Sequence, residues 1–219
     1  RALPSRLSSG TGREKFYSFL ECLLLCHTVV REKVEEGEEL TEKDLKKSYR
    51  AESPDELALI LGTLPFGCDF KDRQASKISI IVDGKPARYE LMATNAFNAD
   101  RKRMSVVVRE EASDRYYLIC KGADNIMLPL TTAWDQPEAK AQVLRNLEEM
   151  ASKGLRTLVI GRKELSKSEA TSFISHWKGA SNSMKDRESE LAAVAQEVEQ
   201  GMELVGITAI EDRLQDQVP

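Results

Sequence analysis

The middle of the chain constrains the fold most. Between residues 77 and 122, four runs rich in β-branched and aromatic residues alternate with turn signals. KISIIVDG and ARYELMATNAF flank Asp83-Gly84, a dipeptide suited to a tight hairpin turn. RMSVVVREE and RYYLICKG flank Ala112-Ser113-Asp114 and predict a second hairpin. LRTLVIGRKEL and ELVGITAIED read as further strands, the last expected to belong to a neighbouring domain. Helical patterns lie on either side. Phe16 to Val30 fits a largely buried helix, and ESPDELALILGTL opens with Ser53 as N-cap, Pro54 at the first helical position and Glu56 at the capping-box spacing. ADNIMLPL reads as a short helix, and a longer one over 137–152 stops at Lys153-Gly154. Two more are predicted over 166–177 and 185–200. With no internal repeat, the pattern implies an α+β domain: a mainly antiparallel, twisted β-sheet flanked by helices.

With 219 residues, 41% hydrophobic and 31% charged, the chain can bury a substantial core. A net charge of -4 argues against a nucleic-acid partner, which would select a basic face. The apolar run from Cys22 to Cys26 is far shorter than the roughly 20 residues of a membrane span. RALPSRLSSGTGREK has no apolar stretch of the signal-peptide kind, and a start without Met suggests an excised or processed piece. Cys22, Cys26, Cys68 and Cys120 fit buried thiols in a reducing setting. Cys22, Cys26 and His27 could suggest zinc, but no second ligand pair stands at metal-site spacing.

No phosphate-cradling GxxxxGK[ST] loop, strand-linked GxGxxG, HExxH or GxSxG elbow is present, and His27 and His176 are isolated. A stand-alone catalytic centre is not expected. What remains is a set of binding residues. Phe97 sits in a polar loop just before Arg101-Lys102-Arg103. That triplet is either a solvated loop end or, with the ring, a site where a base stacks and basic side chains meet phosphates. Lys121-Gly122 ends a strand where a ligand could approach the backbone, and Arg156 opens another. Glu56 is either a capping-box partner or an acceptor for an exocyclic amine.

FLECLLLCHTVV, YRAESPDELALI, FNADRKRMSVVVR, YLICKGADNIM, GLRTLVIGRKEL and VGITAIEDRLQDQVP occur in this order. Together they resemble the nucleotide-binding (N) domain of P-type ATPases, and more narrowly the type-four branch, the phospholipid flippases. The resemblance runs from about residue 16 to the end. It implies that Phe97 stacks on adenine, that Glu56, with Asp55 beside it, meets the adenine edge, and that Lys121 lies deep in the pocket. It places Lys102 near the nucleotide, has Arg156 reach the phosphates, and sets Leu158 against the base. Asn98, Gly122 and Thr157 adjoin these positions. Two departures stand out: Ala99 where flippases commonly have serine, and Gln217 where glycine is usual.

The resemblance implies a linker over 1–15, an N domain over 16–202 and a return strand over 203–219 toward a phosphorylation domain. That domain's phosphorylated aspartate, in a DKTGT motif, is not in this sequence, nor are the TGES and GDGxND motifs. The expected cofactors are ATP and magnesium, the metal held mainly by the absent domain. The expected parent is a multi-pass protein of a eukaryotic plasma membrane, Golgi or endosome, with phospholipid as substrate and a membrane beta-subunit as partner. The domain itself, exposed on the cytosolic side, is expected to be monomeric and inactive alone. Two alternatives stand: the N domain of a cation or polyamine pump, and an interaction module that has lost nucleotide binding.

Overall fold

The computed structural model describes residues 10–32, 47–132 and 137–211. Its elements run α1 (Gly10–Leu25), β1 (Val30–Arg31), β2 (Tyr49–Arg50), α2 (Pro54–Thr63), β3 (Asp69–Gln74), β4 (Lys77–Val82), β5 (Lys85–Asn95), β6 (Arg103–Glu110) and β7 (Tyr116–Gly122). They continue with α3 (Asp124–Met127), α4 (Pro137–Ser152), β8 (Arg156–Leu165), α5 (Lys167–Ser181), α6 (Arg187–Val198) and β9 (Glu203–Ile210). Strands β3 to β9 form one seven-stranded sheet in sequence order, and every neighbouring pair is antiparallel. β1 and β2 make a separate two-stranded ladder. The expected α+β architecture, an antiparallel sheet flanked by helices, is the one observed.

Strand periodicity divides the core in two. Met104, Val106 and Val108 of β6, with Tyr117 and Ile119 of β7, face α1 and α2. Val107, Tyr116, Leu118 and Cys120 point the opposite way, toward α3 to α6. Successive residues of a strand alternate faces, so a strand covered on both sides must be apolar throughout. That is why SVVV and YYLIC read as continuous apolar runs. All four cysteines are free and buried among these layers, and burial pushes the Cys26 thiol up to about 12.

Several expectations need correction. α1 spans Gly10–Leu25 rather than 16–30, so residues 10–15 belong to the helix and not to a linker. It ends where Thr28, Val29 and Val30, all β-branched, favour extended backbone. The His27 Nε2–H donates to the Leu24 carbonyl at 2.8 Å and satisfies one of the acceptors left at the helix end. β3 was not anticipated, because DFKDRQ carries few apolar residues. It is an edge strand in which Phe70 is fully buried.

β9 was expected to leave for another domain, yet it pairs with β8 from Arg156↔Ile210 to Arg162↔Glu203 and closes the sheet. Its Gly206 admits the Phe19 ring of α1 so closely that a Cβ would stand 2.5 Å from that ring. The sheet therefore extends past the expected boundary at residue 202. The remainder of the predicted return segment, from 212, lies outside the described residues, as does most of the charged loop after Glu32 and the departure at Gln217.

Candidate functional site

Antiparallel pairing gathers the predicted residues at one end of the sheet, on the α1–α2 face. Lys121, near the end of β7, lies opposite Met104 on β6 and Ile160 on β8. Two residues back along β8 come Leu158 and then, after the next alternation, Arg156. Above this end stands the first turn of α2. Ser53 has extended backbone (φ -115, ψ 127) and Pro54 starts the helix, so Asp55 and Glu56 project from its opening turn.

The predicted capping box does not form: the Ser53 side chain makes no cap hydrogen bond. Glu56 is drawn elsewhere by stronger donors. One carboxylate oxygen accepts from Lys121 Nζ at 2.7 Å; the other accepts from the Thr28 amide at 2.9 Å and the Thr28 hydroxyl at 2.6 Å. Burial pushes the Glu56 carboxyl up, but the Lys121 charge and the Thr28 donors outweigh it and hold the group below its ordinary range. Side-chain exposures of 9% for Lys121 and 11% for Glu56 make this a buried pair. A capping box does form on α5, between Ser166 and Glu169.

Around the pair is a cavity of ≈ 510 Å³. Leu59, Met104 and Leu158 supply apolar wall, Lys121 and Glu56 line it at the sheet, and Phe97, 64% exposed, stands on its rim. Arg156 and Asp55 also line it, joined by an ion pair of 2.6 Å. An apolar slot with a flat exposed ring and a few fixed polar groups suits a planar heterocycle.

Of the residues singled out in sequence, Asp55, Glu56, Phe97, Lys121, Gly122, Arg156 and Leu158 share this cavity, while Asn98, Lys102 and Thr157 do not line it. Thr157 lies between Arg156 and Leu158, so strand alternation turns it to the other face. Asn98 shapes the loop, its side chain accepting from the Arg101 amide at 2.7 Å. Lys102 takes a left-handed conformation (φ 50), with an exposed side chain.

The basic triplet, open in sequence between a solvated loop end and a phosphate site, is mostly engaged within the fold. Arg101, Arg103 Nε (2.6 Å) and the Ser105 hydroxyl (2.5 Å) all donate to Glu199, which is fully buried at the end of α6. Arg101 also donates to the Ala96 carbonyl, next to Phe97, at 3.1 Å. Two of the three cations therefore brace the loop from behind, and only Lys102 points outward. Gly122 likewise serves the sheet: a Cβ there would stand 2.5 Å from the Arg103 Cβ and 2.7 Å from the Lys102 carbonyl oxygen.

Thr28 and Glu199 were not foreseen. Thr28 sits in the quoted CHTVV string, but nothing local links it to a helix that starts 26 residues later. Beside it, His27 is buried against Phe70, with ring centroids 4.5 Å apart. Burial, helped by the nearby Arg73 and Lys121 charges, lowers it to about 3, so it is neutral.

A model of the P-type ATPase cytoplasmic domain N matches residues 15–217. Phospholipid-transporting ATPase FetA of Mus musculus is 41% identical over 203 residues, 93% of this chain and 16% of that protein. Phospholipid-transporting ATPase ID of Homo sapiens is 40% identical over 204 residues, again 93% and 16%. The more distant Phospholipid-transporting ATPase 2 of Arabidopsis thaliana is 34% identical over 209 residues, 95% of this chain and 18% of its own length. The chain thus spans about a sixth of the curated relatives it matches. With the fold, the match across 15–217 and these relatives together, the chain belongs to the P-type ATPase cytoplasmic N-domain family, in the branch of the phospholipid-transporting ATPases.

Proposed function

We propose that this domain binds ATP on behalf of a phospholipid-transporting P-type ATPase. Adenine stacks on Phe97 with Leu158 beneath it, its amine reaches toward Glu56, and the phosphates run toward Arg156. The γ-phosphate is presented to an aspartate outside this chain, which attacks it in line. ATP brings magnesium on its phosphates; among the described residues no group of His, Cys, Asp and Glu is placed to hold a metal ion. Phosphorylation in the parent drives phospholipid toward the cytosolic leaflet of a eukaryotic membrane, with a membrane beta-subunit as partner. Among the described residues no helix is long and apolar enough to cross a membrane.

The observation that carries this reading is the exposed Phe97 ring beside the buried Glu56–Lys121 pair in one cavity. The names of the relatives favour phospholipid over a cation or polyamine as the transported species. A thermal melt with ATP tests the reading, because a ligand that binds the native state alone raises its stability by mass action. A melting temperature that climbs with ATP and climbs less for Phe97→Ala supports it. A midpoint unmoved at millimolar ATP favours the alternative of an interaction module that has lost nucleotide binding.

A further inference from the structure

The charges lining the cavity do not favour a polyanion. Among the described residues, Glu52, Asp55 and Glu56 stand against Lys121 and Arg156, three carboxylates to two cations. Lys121 faces Glu56 at 2.7 Å, which commits it to the base end of the site. The other cation, Arg156, is engaged by Asp55 through a 2.6 Å contact. The two partners are held unequally. Asp55 is fixed on the first turn of α2 with a side chain 23% exposed, whereas the Arg156 side chain, on the end of β8, is 52% exposed. The guanidinium can reorient toward an incoming anion more readily than the carboxylate can withdraw.

We infer, on the nucleotide reading above, that Asp55 is a built-in competitor for the phosphate chain. Phosphates must take Arg156 from Asp55 and do so beside a like charge, so both effects weaken the phosphate contribution while leaving the base contacts intact. Asp55 thus sets how strongly the site senses the phosphates relative to adenine. Such a site takes up ATP and lets the diphosphate go with little difference in affinity, which suits a domain that must release product after each transfer.

Calorimetric titration of the wild type, Asp55→Asn, Arg156→Gln and the double variant with ATP, ADP and adenosine tests this. The expected result is ATP affinity about twofold to fivefold tighter in Asp55→Asn, the range of a partly exposed ion pair. Adenosine affinity stays unchanged, and the gain for ATP shrinks when Arg156 is Gln. Unchanged or weaker ATP binding in Asp55→Asn overturns the inference, as does an equal gain for adenosine, which would place Asp55 at the base. A wild type that binds neither ATP nor adenosine overturns the nucleotide reading and this inference with it. Binding of both with no gain overturns the inference alone.

Discussion

Glu199 accepts from Arg103 Nε at 2.6 Å across 96 residues of chain, with no exposed surface on the carboxylate. This bond, with those from Arg101 and Ser105, ties the end of α6 to the loop carrying Phe97. Removing one member of a buried charge cluster strands the others in a poor solvent, at about 3–5 kcal/mol. Glu199→Ala is therefore expected to lower unfolding free energy by that amount in urea. A change below about 1 kcal/mol, the scale of a surface pair, would show that the cluster is solvated.

Phe97 should behave in the opposite way. At 64% exposure it contributes little to the fold, so Phe97→Ala leaves the urea midpoint nearly unchanged. If the ring stacks on adenine as proposed, its loss removes base stacking, about 1–3 kcal/mol where aromatic rings carry bases, and ATP affinity should drop roughly fivefold to a hundredfold. Lys102→Ala should cost less affinity than Lys121→Ala, since Lys121 lines the cavity and Lys102 does not. Equal losses, measured by calorimetry, would contradict that ranking.

The Glu56–Lys121 pair predicts strong coupling. Glu56→Gln leaves a buried ammonium and Lys121→Met leaves a buried carboxylate, so each should destabilise strongly. The double variant should cost clearly less than the sum of the two. Additive losses in a urea cycle would mean that the 2.7 Å contact contributes nothing in solution.

His27 predicts a pH dependence. Its folded value of about 3 lies below the ordinary 6.5, so the unfolded chain takes up the proton first as pH falls. The stability from the neutral ring is complete above 6.5 and is lost progressively as pH drops toward the folded value. The slope is at most about 1.4 kcal/mol per pH unit. Glu56, also depressed, acts in the same direction, but its loss begins only near the ordinary carboxyl value of 4.5. Between pH 6.5 and about 5 the rising part of the slope should be that of His27, opposed by Glu21, whose carboxyl burial holds above its ordinary range. His27→Gln should flatten urea-derived stability across that window; an unaltered slope would assign it elsewhere.

Much of the sheet was legible because its signals are local. Asp83-Gly84 marks a hairpin whatever surrounds it, and SVVV or YYLIC can hardly be anything but strand. What was missed depends on partners distant in sequence. Nothing near Glu56 shows that Lys121 and Thr28 would take its carboxylate and leave Ser53 without its capping box. Nothing near Arg101 or Arg103 points to Glu199, so a triplet that reads as either a solvated loop end or a phosphate site proves to be largely a brace. β3 was hidden by its charged outer face. The pairing of β9 with β8 was hidden by the expectation that ELVGITAI led into another domain. The site residues came from the resemblance more than from any pattern in the chain, and the structure brings most of them around one cavity.

The most direct test of the central claim is an amide NMR titration of this domain with ATP, alongside ADP and GTP. The account predicts shifts centred on Glu56, Phe97, Lys121 and Arg156, larger for ATP than for GTP at equal concentration. Shifts absent at millimolar ATP, or centred away from these four residues, would contradict it.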